Sequence, residues 1–256
     1  GKTCTLLGLE YIPILHGGNL PERLEGSKSF SKSLFGNAKA NVAPSRFLYE
    51  IFQKAGFENT RIIPNSIELK NYPFKKRENF QPKLLWVRRF QKRYNPLMAL
   101  EVLRELKKTY PDASMCMVGP DKDGSMKSCK AYAKKHNLNV EFPGKLKKKT
   151  WARLARNYDF FINTTSIDNT PISVIEAMSL GLAVVSTKVG GMPKLIEHQH
   201  DGILVKEKDA EGMATEITRL IEKPEVASEI CCRARQKVEK FDWEQVREKW
   251  NALLPD

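Results

Sequence analysis

The feature that most constrains the fold is a regular alternation of short apolar runs and amphipathic stretches that begins at Lys83. The apolar runs are KLLWV (83–87), ASMCMV (113–118), NVEF (139–142), DFFINT (159–164), LAVVST (182–187) and GILV (202–205). Stretches with helical periodicity lie between the runs, and Pro96 marks the start of the first. Short buried strands that alternate with helices predict an α/β fold, a doubly wound parallel sheet covered on both faces.

A shorter set of strand and helix patterns precedes Lys83. YIPIL (11–15) predicts a strand that ends at His16, and a helix is expected around residues 25–34. NVA (41–43) and residues 61–63 predict two further strands, and Ser45 is placed to cap a helix over residues 46–55 that Gly56 ends. Residues 68–82 have no consistent period and predict a linker.

Length and cysteine usage limit the class of protein. A chain of 256 residues has room for one large or two ordinary domains. Its five cysteines are odd in number and show no CxxC spacing, which is typical of free thiols in a reducing compartment. No apolar stretch approaches the ~20 residues needed to cross a bilayer, and the first residues do not have the pattern of a secretory signal. We therefore expect a cytoplasmic protein. Because the chain begins with Gly1 and enters an apolar segment at once, we also expect an N-terminal part to be missing.

The charge balance predicts an anionic partner. Lys and Arg number 43 against 30 Asp and Glu, which gives a net charge of +13. Such an excess favours nucleotide phosphates, anionic lipid surfaces or nucleic acid. Nucleic acid is disfavoured because the basic residues are scattered and no aromatic platform lies among them. The runs KKR (75–77) and KLKKK (145–149) are interpreted as solvated faces.

The residues just after each strand are the candidates for ligand contacts, since ligands of such sheets bind outside the carboxyl ends of the strands. Cations follow the first strand and glycines follow later ones: Arg88, Arg89, Lys92, Arg93, Gly119, Gly144, Gly190 and Gly191. Helix N-termini at the same edge add unpaired N–H groups and positive partial charge. The pattern predicts a ligand that carries phosphate.

Several familiar signatures are absent from the sequence. The opening GKT lacks the upstream glycine of a P-loop, and no GxGxxG follows a strand, which disfavours a nicotinamide or flavin enzyme. No group of His, Cys and Asp has metal-ligand spacing, so no metal is expected, and His136, His198 and His200 are assigned to the surface.

The stretch DNTPISVIEAM (168–178) is more specific. Pro171 fits the first turn of a helix, with Asp168 or Asn169 as its cap. Glu176 lies inside this otherwise apolar helix and needs a partner, which could be a ribose diol or a buried cation; residue chemistry leaves both open.

The order of residues from Asp168 to Gly191 resembles the E-x7-E segment of the family 4 retaining glycosyltransferases, within glycosyl transferases group 1. The matching residues are Asp168, Pro171, Glu176-Ala177-Met178, Gly181, Val184-Val185 and Gly190-Gly191. Pro64-Asn65 is similar to the family's interdomain turn, and residues 87–93 to its strand-end phosphate element. The chain departs from the pattern at Asp168 (usually Glu), Arg88 and Ser66 (usually Gly) and Lys194 (often acidic).

The resemblance implies the GT-B fold, two Rossmann-like doubly wound parallel-sheet domains, of which the first is expected to be only partly present. By this interpretation residues 1–67 belong to an acceptor-side domain, 68–82 form the linker, 83–240 form the nucleotide-sugar domain, and 241–256 form a helix that returns to the first domain. We expect the chain as given to be inactive, because half of the acceptor domain would be absent.

The resemblance also implies roles for individual residues. Arg89 and either Lys92 or Arg93 would hold the donor diphosphate, Asp168 would contact the transferred sugar, and His16 would position substrate near the reacting carbon. Glu176 would accept from the ribose, Gly144 and Leu146 would meet the base, and Gly190-Gly191 would let the backbone approach closely. The remaining residues expected at the donor are Gly119, Asn169, Thr170, Pro171 and Ile172, and those on the acceptor side are Gly17, Gly18 and Asn19.

The function implied is transfer of a sugar from a nucleotide-diphosphate sugar, with retention at the anomeric carbon, in polysaccharide or glycolipid biosynthesis. The acceptor would be a saccharide or a lipid-linked precursor, and the basic surplus would suit peripheral contact with an anionic membrane. No cofactor or metal is expected beside the donor. The alternative is a GT-B protein that binds nucleotide or sugar without catalysis, which the departures at Asp168, Arg88 and Ser66 favour.

Overall fold

The computed structural model describes residues 1–16 and 20–254. The first part contains helices α1 (Lys2–Leu6), α2 (Leu20–Gly26), α3 (Lys28–Phe35) and α4 (Arg46–Lys54), with strands β1 (Asn41–Ala43) and β2 (Thr60–Ile62). The two strands pair in parallel, with Asn41 opposite Thr60. Ser45 caps α4 by accepting a hydrogen bond from the N–H of Leu48, as the sequence predicted.

Two predictions for the first part are wrong in detail. Residues 11–15 form no strand but a single bridge, between Ile14 and Val42. Pro13 lies within this segment and has no N–H to donate, which limits the ladder to isolated bonds such as that from the N–H of Val42 to the carbonyl of Pro13 at 2.9 Å. The helix expected around 25–34 is divided between α2 and α3, because the backbone leaves the helical region at Ser27 (φ −141°).

The larger part is a six-stranded parallel sheet, as the alternating pattern predicted. Its strands are β3 (Lys83–Val87), β4 (Ser114–Val118), β5 (Asn139–Gly144), β6 (Phe160–Asn163), β7 (Ala183–Thr187) and β8 (Ile203–Val205). Its helices are α5 (Pro96–Leu106), α6 (Ser125–Lys135), α7 (Lys148–Leu154), α8 (Ile172–Ser179), α9 (Met192–Leu195), α10 (Ala210–Glu222), α11 (Pro224–Val238) and α12 (Trp243–Asn251). Turns of 3-10 helix cover Leu69–Asn71, Lys92–Tyr94, Ala155–Asn157 and Glu239–Phe241.

Both faces of strands β3, β4, β6 and β7 are buried, which explains why these strands are mostly apolar, whereas the edge strand β5 alternates exposed and half-buried residues. Leu84 and Trp86 of β3 point into a core shared with α5, α6 and α10, whereas Leu85 points into a second core with α7, α8 and α9. Phe160 and Phe161 of β6 divide in the same way. Successive side chains of a strand alternate between faces, so a strand covered on both sides needs apolar residues at every position.

The strand order β5-β4-β3-β6-β7-β8 reverses between β3 and β6. The chain builds outward from β3 to β5 and then returns to β6 on the other side of β3. A reversal of this kind opens a crevice at the carboxyl ends of the two central strands. The loops after Val87 and Asn163 therefore lie beside each other.

Residues 68–82 pack against the large sheet, and this changes the interpretation of the KKR run. Arg77 is 3% exposed, so the prediction of a solvated face is wrong for this residue. Its guanidinium forms an ion pair with Asp159 at 3.1 Å and donates to backbone carbonyls of the segments around 155–158 and 180–181. Residue type and spacing alone do not distinguish such an arginine from a surface one.

Helix α12 lies on the first part of the chain. Val246 packs with Val42 of β1 and with Ile63, and the N–H of Trp243 donates to the carbonyl of Ile67 at 2.9 Å. In the described ranges no helix combines the length and the apolar character that a membrane span requires.

Candidate functional site

A cavity of about 420 Å³ opens at the carboxyl end of β3, where the order of the strands reverses. The site residues predicted from sequence that line it are His16, Arg89, Asp168, Asn169, Thr170, Pro171 and Ile172. Asn65, Val87, Arg88, Tyr94 and Ser173 complete the lining. Both the first part of the chain and the large sheet thus contribute to one wall.

Three arginines surround the ring of Tyr94, a buried residue that follows β3. The guanidinium carbons of Arg88, Arg89 and Arg93 lie 4.5, 5.9 and 5.7 Å from the ring centroid. The pKa of Arg88 is lowered to about 10, chiefly by burial; Tyr94 opposes the decrease, and Arg89 and Arg93 add to it. Cations crowded in this way are stabilised by an anion, so the cavity favours a negatively charged ligand.

Asp168 faces this cluster and is already engaged by it. Arg88 Nη2 forms an ion pair with Asp168 Oδ2, and Asp168 Oδ1 accepts from the N–H of Asn169 at 3.0 Å. Arg88 was among the cations predicted at the strand ends, but the resemblance implied no role for it. Arg88 and Asp168 both depart from the family pattern, and the two departures contact each other.

The loop from Asp168 to Pro171 is held by the first part of the chain. Ser45 Oγ contacts Asn169 Oδ1, and Asn65 Nδ2 donates to the carbonyl of Thr170 at 3.1 Å. The predicted cap of α8 is wrong: Pro171 occupies the N-cap position without a side-chain hydrogen bond, because Asp168 and Asn169 have these other partners. The N–H of Val174 donates to the carbonyl of Pro171 at 3.1 Å. Ile172 and Ser173, the two residues before it at the start of α8, line the cavity, and the N–H groups at such helix positions have no partner inside the helix.

The predicted glycines lie behind the cavity wall. A Cβ atom on Gly190 (φ +51°) would be 2.1 Å from the carbonyl oxygen of Asp168, and one on Gly119 (φ +155°) would be 1.7 Å from that of Arg88. The N–H of Gly191 donates to the carbonyl of Asp168 at 2.9 Å. The close approach expected at Gly190-Gly191 is therefore an approach to the loop that carries Asp168.

Glu176 lies deeper, away from the cavity lining. Its carboxylate, 4% exposed, accepts from the hydroxyl of Tyr72 at 2.5 Å and forms an ion pair with Lys148 at 2.9 Å. Burial raises the pKa of Tyr72 above its ordinary value, and the hydrogen bond to Glu176 raises it further. The sequence left a ribose diol or a buried cation open as the partner of Glu176. The cation that the structure pairs with it, Lys148, is 67% exposed rather than buried, and contact with a ribose stays a prediction. Tyr72 and Lys148 come from the predicted linker and a predicted solvated run, so neither was expected here.

The remaining predicted residues are spread around the site. The backbone N–H of Lys92 donates to Asp123 at 2.8 Å, on a different loop, and neither Lys92 nor Arg93 lines the cavity. The carbonyl of Gly144 accepts from the N–H of Gly119 at 2.9 Å, and Leu146 packs against the core beside α7. The predicted acceptor-side residues Gly17, Gly18 and Asn19 fall outside the described residues.

One group of metal-type ligands occurs in the part of the chain that the structure describes, although the sequence pattern suggested none. Ligand atoms of Glu197, His200 and Asp201 lie within 4.8 Å of one another. Asp201 is fully buried, but it already forms an ion pair with Lys237 and accepts from the N–H of Glu197 at 2.9 Å. The buried carboxylate of this group is therefore already paired with a lysine.

The chain belongs to the glycosyl transferases group 1 family, whose model matches residues 70–237. It is 28% identical over 163 residues to an uncharacterized glycosyltransferase of Haemophilus influenzae, covering 60% of this chain and 44% of that protein. It is 27% identical over 250 residues to the amylovoran biosynthesis glycosyltransferase AmsK of Erwinia amylovora, covering 89% and 59%. The chain thus spans about half the length of these curated relatives.

The fold is that of GT-B glycosyltransferases. The crystal structure of Anabaena Alr3699/HepE in complex with UDP and glucose matches with a TM-score of 0.82 and 20% identity, over 97% of this chain and 72% of that one. The expectation of an α/β, GT-B type fold is confirmed.

Proposed function

We propose that the protein transfers a sugar from a nucleotide-diphosphate sugar to an acceptor, with retention of anomeric configuration, as a member of glycosyltransferase family 4. The observation that carries the proposal is the cavity at the strand reversal, where Arg88, Arg89, Asp168 and the start of α8 meet. A related fold in HepE has been obtained in complex with UDP and glucose. Cations and unpaired N–H groups at one edge of a parallel sheet suit a diphosphate.

The donor diphosphate would lie between Arg89 and the first turn of α8. Arg93, whose guanidinium is 5.7 Å from the Tyr94 ring, is better placed than Lys92 to supply the second cation. As the bond between sugar and phosphate breaks, negative charge grows on the departing diphosphate. Fixed positive charges at that position stabilise the transition state more than the ground state.

The transferred sugar would lie between Asp168 and His16, which approach the cavity from the two parts of the chain. Arg88 fixes the orientation of Asp168, and the side chain of aspartate is one methylene shorter than the glutamate of the family pattern. Holding the sugar between two such groups lowers the entropic cost of reaching the reactive geometry. Ribose and base would extend toward Glu176, Gly144 and Leu146.

The acceptor is proposed to be a saccharide or a lipid-linked precursor, met at the cytoplasmic face of a membrane. The surplus of thirteen positive charges supports peripheral contact with an anionic leaflet. No metal ion or other cofactor is needed in this mechanism, because arginines supply the positive charge at the diphosphate.

Incubation of the full-length protein with a panel of nucleotide sugars tests the proposal. We expect slow hydrolysis of one donor without an acceptor, faster turnover with one, and NMR of the product showing the anomeric configuration of the donor. Arg89→Gln should lower kcat/KM about tenfold or more, since a hydrogen bond to a charged group contributes roughly 1.5–3 kcal/mol. Lys134→Gln, on the distant helix α6, is the matched control. Absence of both binding and turnover across the panel would refute the proposal.

A binding protein without catalysis is the alternative, and one contact favours it. Both oxygens of Asp168 already accept hydrogen bonds or an ion pair, from Arg88 and from Asn169. If this pairing persists when donor binds, Asp168 has less capacity to accept from the sugar. The alternative predicts that a nucleotide raises the melting temperature while no donor is turned over with any acceptor.

A further inference from the structure

We propose that a second cavity, beside the one described above, is a binding site for a phosphate group. This cavity has a volume of about 370 Å³, and four cations line it: Arg46, Lys194, Lys240 and Lys249. No carboxylate of the described residues is part of its lining. Thr170 lines both cavities, so the two cavities adjoin at the loop between Asp168 and Pro171.

The position of the cavity in the fold supports a ligand site. Pro44 and Ser45 directly follow β1, and Ile62 is the last residue of β2. Both parallel strands of the small sheet therefore end at this cavity, which is where open parallel sheets bind ligands. The opposite wall comes from α9, from the 3-10 turn at residues 239–241 and from α12.

The charges on the wall are only partly compensated. Glu50, outside the cavity, forms ion pairs with Arg46 at 3.2 Å and with Lys194 at 3.0 Å. Lys240 and Lys249 form no ion pair with any carboxylate in the described ranges. Two ammonium groups without an ion pair therefore lie at a space that a phosphate could fill. Lys240 Nζ lies 5.6 Å from the ring centroid of Phe241.

Burial and the neighbouring lysines both lower the pKa of Lys240. Its pKa is lowered by burial first, and then by the neighbouring Lys237 and Lys249, while Asp201 opposes the change. A group whose charged form is disfavoured by its neighbours gains stability when an anion binds beside it. Phosphate suits the site because it accepts hydrogen bonds on several oxygens from lysine and arginine at once.

Lys194 also gains an explanation. It was noted in the sequence as a departure from an often acidic position, and sugar transfer at the donor cavity gives it no role. Here it provides one of the four cations and joins α9 to Glu50 of α4. An acidic residue at the same place would repel phosphate from the cavity.

Backbone NMR of the full chain titrated with inorganic phosphate tests the proposal. Amide shifts of Arg46 and Leu195 report on this cavity, and those of Arg89 and Ser173 report on the donor cavity. Lys240→Gln/Lys249→Gln should weaken phosphate binding at the first pair of reporters about tenfold and leave the second pair unchanged. Lys134→Gln/Lys135→Gln, on the exposed face of α6, removes the same charge elsewhere and should change both affinities less than twofold.

Two further arms distinguish the source of the phosphate. If it belongs to the acceptor, Lys240→Gln/Lys249→Gln raises KM for a phosphorylated acceptor and not for its dephosphorylated form. If it is a free ligand, added phosphate changes the transfer rate of the unmodified protein and not of the variant. Equal phosphate affinity at Arg46 and Leu195 in the two double variants would overturn the proposal. The NMR result does not depend on sugar transfer: loss of the donor-cavity response alone would count against the proposed function and leave this site standing.

Discussion

Replacement of Arg77 by methionine would test whether one buried cation holds residues 68–82 against the large sheet. Arg77 is 3% exposed, and its donors reach the carbonyls of Lys75, Ala155, Tyr158, Leu180 and Gly181 as well as the carboxylate of Asp159. Methionine keeps much of the volume but removes all of these donors. Asp159 would then retain the N–H of Gln81, at 3.0 Å, as its remaining donor from this segment.

The expected loss of stability follows from the charge of Asp159, which stays buried when Arg77 is removed. Removing one partner of a buried ion pair costs about 3–5 kcal/mol, because the other charge stays buried without compensation. That is a large part of the ~5–15 kcal/mol by which folded proteins are stable. For a chain of this size each kcal/mol lowers the melting temperature by about 2–4 °C, so we expect a decrease of about 10 °C.

Thermal unfolding followed by near-UV circular dichroism measures this decrease. Lys76→Met is the matched control, because Lys76 is adjacent, 65% exposed, and pairs only with Glu78 at 3.2 Å. The control should change stability by less than about 0.5 kcal/mol. Adding Asp159→Asn to Arg77→Met should recover part of the loss, since the double variant no longer buries an unpaired charge. A difference of less than about 2 °C between the melting temperatures of Arg77→Met and the control corresponds to less than about 1 kcal/mol. That result would show that the buried pair does not hold this segment.

Three further substitutions probe the site. Gly190→Ala should destabilise the protein by about 1–3 kcal/mol and weaken donor binding, because its Cβ would strike the carbonyl of Asp168. Gly124→Ala is the control, since Gly124 also has a positive φ but has open space around it. Comparing the two variants by urea unfolding and by donor titration separates the effect of backbone strain from that of the clash. Tyr72→Phe should lower the free energy of unfolding by about 1–3 kcal/mol, because the buried carboxylate of Glu176 loses a hydrogen-bond donor. An unchanged urea midpoint would show that Lys148 alone is a sufficient partner for this carboxylate. Arg88→Gly should leave Asp168 without its ion-pair partner. Asp168→Asn should then reduce donor affinity less in the Arg88→Gly variant than in the unmodified protein. Strictly additive losses of donor affinity, measured by calorimetry, would exclude coupling between the two residues.

The large sheet could be predicted from sequence because its signal is local. Continuous apolar runs of four to six residues, separated by helical periodicity, are what a sheet buried on both faces requires, and all six predicted strands are present. The first part was predicted less well. Residues 11–15 were predicted to form a strand, but the missing N–H of Pro13 limits pairing to a single bridge, and the length of an apolar run alone does not reveal this.

At the site, the strand-end cations could be predicted from sequence, but the partners of the buried carboxylate of Glu176 could not. Strand ends bring Arg89 and residues 168–172 together by topology alone, and this could be predicted. The partners of Glu176 could not, because Tyr72 and Lys148 come from segments whose composition is typical of a linker and of a solvated run. A basic run gives the same signal whether its lysines and arginines lie in water or reach a buried carboxylate.

The contacts around residues 168–171 explain why the two parts of the chain are needed for one site. Asn65 and Ser45 belong to the first part, yet they hold the loop that presents Asp168. Arg88 approaches the same carboxylate from β3, and Gly190 supports the loop from behind. The orientation of Asp168 therefore depends on three segments that are far apart in sequence. A movement of the first part relative to the large sheet would alter the loop that both cavities share, so occupancy of the cavity lined by Lys240 and Lys249 should change donor affinity through Thr170.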